Sequence, residues 1–321
     1  MTVSLILTVR NEAEYIPLLF DSIVAQTRLP DEVVVCDGGS TDETVTALEK
    51  YSDRLNLRIE SSLGVNISAG RNIAIRAAVG EIIAVTDAGV RLEPDWLARL
   101  VSPFVEAKNV QIALAAGFFQ AEAESLFELA MGATVLPEWT DVHPDRFLPS
   151  SRSVAFRKSA WEAVGGYPEW LPFSEDVVFD LRIRERFGVF KFVPDAIVHF
   201  QPRSSLRRFF RQYFNYASGD GQAGLFTRIH FIRYFTYLVV VPLGVFAALT
   251  VSPWLWALGL LAGFAYIRTP IRRLVRVWSP LSVMERLSAL ALIPVIRVVG
   301  DIAKMCGYPM GVWQRIRQNR D

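Results

Sequence analysis

Acidic side chains stand at the ends of two predicted strands and at the start of one predicted helix. Asp37 follows an apolar run rich in valine, Asp87 ends another apolar run, and Glu175-Asp176 open a pattern with helical periodicity. Ligands of open α/β sheets bind at the carboxyl ends of strands, where Asp37 would lie. Carboxylates in such places bind hydroxyl groups or cations, or accept protons. The plainer alternatives are that Asp37 binds the amides of its own loop and that the acid pair interacts with a helix dipole.

The elements that must position Asp37 form one predicted βαβ unit. A strand pattern covers residues 4–9, an amphipathic helical pattern follows around residues 16–24, and the next strand begins at Val33. Both strands would therefore deliver polar residues to the same rim of the sheet. This unit contains neither Gly-x-Gly-x-x-Gly nor Gly-Lys-Ser/Thr, which excludes a dinucleotide fingerprint and a phosphate-cradling loop here. A nucleotide at this rim would be held by carboxylates and main-chain groups near its base and ribose.

Motifs in the first two-thirds of the chain resemble those of family 2 glycosyltransferases, which have the nucleotide-diphospho-sugar transferase (GT-A) fold. The matching segments, in the order of the family, are 7–12, 35–42, 70–72, 86–89, 164–168 and 174–176. The resemblance implies an α/β fold with a mostly parallel sheet flanked by helices. It also implies transfer of a sugar from a nucleotide-diphosphate donor with inversion of the anomeric centre.

Sugar transfer from such a donor has three physical demands. The base and ribose must be recognised, the charge of the leaving diphosphate neutralised and the acceptor hydroxyl deprotonated. For recognition, the resemblance implies that Thr8, Arg10 and Glu12 border the base and that Asp37 binds base or ribose. It also implies contacts from Gly70, Arg71 and Asn72 near the base or the diphosphate, although Arg71 taken alone is typical of an ion pair on a helix surface.

For charge neutralisation, the resemblance implies a divalent cation, Mn²⁺ or Mg²⁺, held by hard oxygen ligands. The family usually carries two acids one residue apart at this point, whereas this chain has Asp87-Ala88-Gly89 and lacks the second acid. Some relatives complete the cation shell with a downstream histidine. His199 matches that position, so Asp87 and His199 are the predicted metal ligands, with a structural role in a strand as the alternative for His199.

For proton removal, the resemblance assigns Asp176 as the general base and Glu175 as the group that orients it or the acceptor. An aspartate with an unperturbed pKa of about 3.9 is a weak base. We therefore expect either that burial raises the pKa of Asp176 or that the proton moves late in the reaction.

Composition and charge limit the partners. The 321 residues can hold one large domain and an appendage, and a net charge of +1 gives no steering toward nucleic acid. The basic and aromatic segment 207–216 is therefore expected at a membrane interface. The two cysteines, Cys36 and Cys306, are far apart and fit a reducing cytosol. The chain enters a strand at once, which predicts that no signal peptide is present.

Hydrophobic residues make up 51% of the chain and concentrate after residue 233. Two uncharged runs separated by Ser252-Pro253 predict a membrane hairpin at about 234–267, with a buried hairpin of a soluble domain as the alternative. Arginines on both flanks predict that both ends of this hairpin face the cytoplasm. The segment at about 281–306 contains charges and Pro294, and is expected to be interfacial or re-entrant.

These features predict a glycosyltransferase catalytic domain at residues 1–230 and a membrane-associated helical region at residues 231–321. The leading hypothesis is an inverting enzyme at the cytoplasmic membrane, facing the cytoplasm, that acts on a lipid-linked or cell-surface glycan acceptor. The lack of Gln-x-x-Arg-Trp favours single additions over polymerisation. The alternative is a membrane-anchored, catalytically inactive scaffold subunit that binds nucleotide sugars, suggested by the missing second acid. A transporter is disfavoured, because one short hairpin offers no pathway.

Overall fold

The computed structural model describes residues 1–106 and 112–318, in which the chain divides into two units. The sheet unit consists of Met1–Glu122 and Trp139–Gln201. The helical unit consists of Ala123–Glu138 and Pro202–Asp321. This division differs from the boundary at 230/231 expected from sequence, because helices on both sides of residue 230 pack together and because residues 123–138 join them.

The sheet unit is built on an eight-stranded mixed sheet of order β3-β2-β1-β4-β7-β6-β8-β5 in the described residues. The strands are β1 Val3–Val9, β2 Glu32–Asp37, β3 Leu57–Ser61, β4 Ile82–Val85, β5 Val90–Leu92, β6 Leu114–Ala121, β7 Val154–Arg157 and β8 Lys191–Phe200. The pairs β1–β2, β1–β4, β2–β3 and β6–β8 are parallel, and the pairs involving β5 or β7 are antiparallel. The expected βαβ unit and parallel core are thus present.

The helices of the described residues alternate with these strands in the sheet unit and follow one another in the helical unit. They are α1 Ile16–Val24, α2 Thr44–Glu49, α3 Ile67–Ala77, α4 Trp96–Glu106, α5 Leu126–Val135, α6 Lys158–Ala163, α7 Glu175–Phe187, α8 Leu206–Ala223, α9 Thr227–Phe235, α10 Val241–Thr250, α11 Leu255–Val277 and α12 Val283–Gln318. Short 3₁₀ turns cover Trp139–Asp141 and Pro144–Arg146, and a π-helical turn, Thr236–Val240, joins α9 to α10.

Both faces of the sheet are covered, which explains why its parallel strands are continuous apolar runs. Leu5 and Leu7 point into one core with residues of α1 and α4. Ile6, between them, points into the other core with residues of α3, α6 and α7. With both faces buried, polar residues can reach solvent only at strand ends.

The parallel register aligns the strand ends that carry the candidate site. Val9 of β1 pairs with Asp37 of β2, and Ile6 pairs with Val85, the last residue of β4. The residues that follow these strands therefore lie along one edge of the sheet, as the sequence predicted.

The helical unit depends on close approach of α8 and α12. A Cβ atom on Gly311 would lie 1.9 Å from the Ser218 carbonyl oxygen, and one on Gly307 would lie 2.1 Å from the Phe214 carbonyl oxygen. Only glycine permits this spacing. The stretch Gly219–Gly224 has the spacing Gly-x-Gly-x-x-Gly, but it lies at the end of α8 and not between a strand and a helix, so it is no dinucleotide site.

The structure revises the predicted membrane elements. Among the described residues, one helix has the length and apolar composition to cross a membrane, the 24-residue stretch Thr227–Thr250. The expected turn lies between α10 and α11, but α11 is one helix that continues through Arg268 and Pro270 to Val277. Most of the segment 281–306, which was predicted to be interfacial or re-entrant, belongs to the 36-residue helix α12, which runs through both Pro294 and Pro309.

Candidate active site

A cleft of about 320 Å³ opens at the carboxyl edge of the sheet. Four of the residues predicted to contact the donor line it, namely Thr8, Arg10, Glu12 and Gly70. Gly70 permits a close approach here, because a Cβ atom at this position would lie 2.8 Å from Thr8 Cγ2 and that side chain would have to shift. The cleft therefore exists where α3 approaches β1 closely, and its place at the strand ends is that of a ligand site in an α/β sheet.

Asp37, the last residue of β2, is buried, and its carboxylate accepts hydrogen bonds from the loop that follows it. It accepts hydrogen bonds from the amides of Gly39, at 3.2 Å, and Ser40, at 3.1 Å, and from Ser40 Oγ at 2.5 Å. These contacts agree with the alternative interpretation, in which Asp37 binds the amides of its own loop. A direct role in binding base or ribose stays a prediction.

Arg71 lies at the centre of the acidic residues. It is 2% exposed, its Nη1 donates to Glu175 Oε1 at 2.7 Å and its Nη2 donates to Asp87 Oδ1 at 3.1 Å. Burial alone would lower the pKa of Arg71, but the charges of Glu175 and Asp87 raise it above its ordinary value. The structure places Arg71 in a buried ion pair with Glu175 and Asp87, and its predicted contact with the base or diphosphate stays a prediction.

Glu175 and Asp176 are the first two residues of α7, after Ser174, whose φ of 61° turns the chain sharply into the helix. Burial and the charge of Asp176 raise the pKa of Glu175 to about 7, although Arg71 opposes this shift. Burial also raises the pKa of Asp176, again opposed by Arg71. Asp176 Oδ1 accepts the Val177 amide hydrogen at 2.9 Å. The site thus supplies the burial that a catalytic aspartate needs.

Asn72, which was predicted to contact the base or diphosphate, uses its side-chain amide on neighbouring protein groups. Its Nδ2 donates to the Tyr167 carbonyl oxygen and to Glu169 Oε1, and its Oδ1 accepts from Trp161 Nε1 and the Tyr167 amide, all at 2.8–3.0 Å. These four bonds use the full hydrogen-bonding capacity of the amide. Asn72 therefore fixes the loop that leads into α7.

Comparison with known proteins finds a family match for the first part of the chain. Residues 4–130 match the family whose description is "Glycosyl transferase family 2". Chondroitin synthase of Pasteurella multocida (strain Pm70) is 33% identical over 109 residues, which are 34% of this chain and 11% of that protein. The O-antigen chain rhamnosyltransferase RfbN of Salmonella typhimurium is 25% identical over 230 residues, 67% of this chain and 71% of that protein. Residues 4–130 of the chain thus match a glycosyl transferase family 2 domain.

A solved structure supports the fold that the motifs predict. The mannosyltransferase PcManGT from Pyrobaculum calidifontis, in complex with GDP-Man and Mn²⁺, matches with a TM-score of 0.59 and 20% identity. The match covers 98% of this chain and 87% of that one. It confirms the expected GT-A fold class.

The two predicted metal ligands each pair with other side chains in the structure. Asp87 binds Arg71 through Oδ1, and its Oδ2 lies 3.8 Å from Arg152 Nε. His199 Nε2 contacts Glu93, and its Nδ1 lies 3.6 Å from Glu122 Oε1. In the described part of the chain, no three His, Cys, Asp or Glu side chains are grouped as a metal site. A lone carboxylate already paired with arginine does not fit a divalent cation, so no catalytic step is assigned to one.

Two residues of the family 2 site were missed from the sequence. Asn11, with φ of 56°, accepts the Thr41 amide hydrogen at 2.8 Å and so joins the loops after β1 and β2. Asparagine adopts the left-handed backbone region more readily than most residues, and Asn11 lies in one of the matching motifs. These two facts could have indicated its role from the sequence. Nothing in the sequence indicated a role for Arg152, because its position beside Asp87 depends on how β4 packs against the loop before β7.

Proposed function

We propose that the sheet unit transfers a sugar from a nucleotide-diphosphate donor to an acceptor hydroxyl with inversion at the anomeric carbon. The observation that carries this proposal is that helix α3 connects the cleft to the acidic residues Asp87 and Glu175. Gly70 lines the cleft, and the next residue, Arg71, binds Asp87 and Glu175. A donor in the cleft would thus extend toward Asp176.

The proposed reaction is a single displacement. The acceptor oxygen forms a bond to the anomeric carbon while the bond from that carbon to the diphosphate oxygen breaks. The nucleoside diphosphate departs with that electron pair, and Asp176 takes the acceptor proton. No second carboxylate is assigned as a nucleophile, which supports inversion.

Glu175 is proposed as a positioning residue. Its ion pair with Arg71 fixes the start of α7 and hence the Asp176 carboxylate, one residue on. Glu175 needs its negative charge to hold this pair, which links the geometry of the base to the ionisation of its neighbour.

We further propose a lipid-linked or cell-surface glycan acceptor, single additions, and a membrane-associated enzyme that faces the cytoplasm. The apolar helix Thr227–Thr250 supports membrane association. RfbN, named as a rhamnosyltransferase of the O-antigen chain, supports a surface-glycan acceptor. The arginines that flank the apolar region support the orientation.

The test is to incubate the full-length protein in detergent with UDP-, GDP- and dTDP-sugars and membrane lipid extract, and to measure nucleoside diphosphate release. The assay is run with and without Mn²⁺. Release that depends on Asp176 supports the proposal. Measurable donor binding by calorimetry without any release would instead support the inactive scaffold, and would overturn the enzyme.

A further inference from the structure

The site must neutralise the leaving diphosphate without the usual pair of acids. Ala88 follows Asp87 in place of the second acid, and its methyl side chain carries no oxygen that could bind a cation. Gly89 adds none. Transition-state charge on a transferring group can also be stabilised by arginine side chains. The charged groups around Asp87 therefore decide how this enzyme meets that demand.

Arg152 is held against Asp87 at the end of β4. Its Nε lies 3.8 Å from Asp87 Oδ2, and its guanidinium carbon lies 4.5 Å from the centre of the Phe200 ring. Its Nη1 donates to Ser150 Oγ at 3.2 Å, and its carbonyl oxygen accepts from Thr86 Oγ1 at 3.0 Å. Side chain and backbone are thus both fixed beside the acid.

Arg71 and Arg152 differ in what they can offer a ligand. The Arg71 side chain is 3% exposed and bonds two carboxylates, whereas the Arg152 side chain is 23% exposed and lies beside one carboxylate at a longer distance. A guanidinium group carries five N–H donors, in a fork that matches phosphate oxygens. Of the two, Arg152 has donors and solvent access for a ligand.

We propose that Arg152 binds the diphosphate of the donor in place of a divalent cation, so that sugar transfer proceeds without metal. This inference rests on the proposed function. Asp87 then positions the two arginines instead of ligating a cation. That role explains why the first acid of the motif is present while the second is alanine, and why His199 lies with Glu93 instead.

The first test compares turnover of the wild-type protein in EDTA and in Mn²⁺. We expect the rates of nucleoside diphosphate release to agree within about two-fold, since arginine stabilisation needs no metal. Loss of release in EDTA that Mn²⁺ restores would overturn this inference and leave the proposed function standing. No release in either buffer would overturn the proposed function.

The second test uses Arg152→Gln, with Arg91→Gln as the matched control. Arg91 is also a partly exposed arginine of the sheet unit that pairs with one acid, Glu122. In EDTA, Arg152→Gln should lower release by about 10²–10³-fold, the usual effect of losing one preorganised donor, whereas Arg91→Gln should change it less than two-fold. Arg152→Lys should retain part of the rate, because it keeps the charge but not the fork.

A binding measurement separates diphosphate recognition from folding and from turnover. Calorimetry in EDTA compares UDP, GDP and dTDP with the matching monophosphates. The wild type and Arg91→Gln should bind the preferred diphosphate at least ten-fold more tightly than its monophosphate, and Arg152→Gln should lose that difference while still binding the monophosphate. An unchanged preference in Arg152→Gln would overturn the proposal.

Discussion

At the scale of single residues, the candidate base owes its strength to its surroundings. Asp176 has an ordinary carboxyl group, but burial at the start of α7 raises its pKa. A base whose pKa is closer to the working pH removes a hydroxyl proton more effectively. The Arg71 charge opposes the shift, and Glu175 binds that charge directly at 2.7 Å.

Asp176→Asn tests the base directly. The change keeps the shape and most hydrogen bonding of the side chain but removes its charge and proton affinity. Loss of general-base assistance should lower turnover by about 10²–10⁴-fold, while donor affinity changes little. Nucleoside diphosphate release and calorimetry of donor binding measure the two effects.

Glu175→Gln is the companion variant, and it should cost less turnover than Asp176→Asn because a positioning residue accepts no proton. Normal turnover in Asp176→Asn together with an inactive Glu175→Gln would show that the base is Glu175. The role that the family resemblance assigns to Asp176 would then belong to the preceding residue.

The raised pKa of Glu175 also predicts a pH dependence of stability. The pKa is about 7 in the folded protein against an ordinary value of 4.5, so between these values the folded state binds more protons than the unfolded chain. The free energy of unfolding should therefore fall as pH rises through this window. Thermal unfolding of the wild type and Glu175→Gln at pH 5 and pH 8 measures it. The variant should lose less stability over that interval, and equal losses would contradict the assignment.

At the scale of elements, α3 gives three consecutive residues three separate tasks. Gly70 permits the approach to β1, Arg71 binds the acids, and Asn72 holds the loop before α7. Successive side chains of a helix point about 100° apart, so one short helix can serve the cleft, the acids and the loop.

The contact of α8 with α12 is the second element-scale feature, and Gly311→Ala tests it. A methyl group there would meet the Ser218 carbonyl oxygen at 1.9 Å, so the two helices must separate. We expect a loss of about 1–3 kcal/mol, as for other overpacked contacts. Gly259→Ala in α11 is the control, because its methyl group meets no atom within 4 Å and alanine favours helix. Thermal unfolding in detergent compares them, and equal midpoints would refute the packing argument.

At the scale of the whole molecule, the helical unit draws on two distant stretches of chain. Its core combines Ala130 and Met131 of α5 with Phe209 of α8 and with Ile293 and Ile296 of α12, all buried. A cut made at a single position in the sequence therefore divides this core.

Removal of residues 231–321 tests that organisation. The truncated chain keeps α5 and α8 but loses α11 and α12, so apolar residues such as Phe209 become exposed. We expect it to aggregate, because exposed apolar patches of this kind promote association. Size-exclusion chromatography against the full chain in the same detergent is the measurement. A monodisperse truncated protein that binds nucleotide would restore the boundary at 230/231.

Local pattern predicted much of the sheet unit. Runs of valine and isoleucine identify β1, β2 and β4, and the acids that end or follow them mark the ligand edge, because alternation and burial act along a few neighbouring residues. The opening of α7 at Glu175 was also legible in sequence. The family motifs then ordered these segments into the GT-A fold that the comparisons confirm.

The sequence by itself thus determined the strands, the acidic edge and the family motifs, since each depends on residues that are adjacent in the chain. Tertiary structure alone decided which charges meet. Arg71 and Glu175 stand 104 positions apart, His199 and Glu93 stand 106 apart, and the membership of α5 in the helical unit depends on packing. Ion pairs of this kind depend on how whole helices and strands pack together. The free energy of that packing comes from contacts throughout the core and not from any local sequence pattern. For that reason the sequence could not reveal that Asp87 pairs with Arg71, that His199 contacts Glu93, or that Arg152, which lies outside every motif, is beside Asp87.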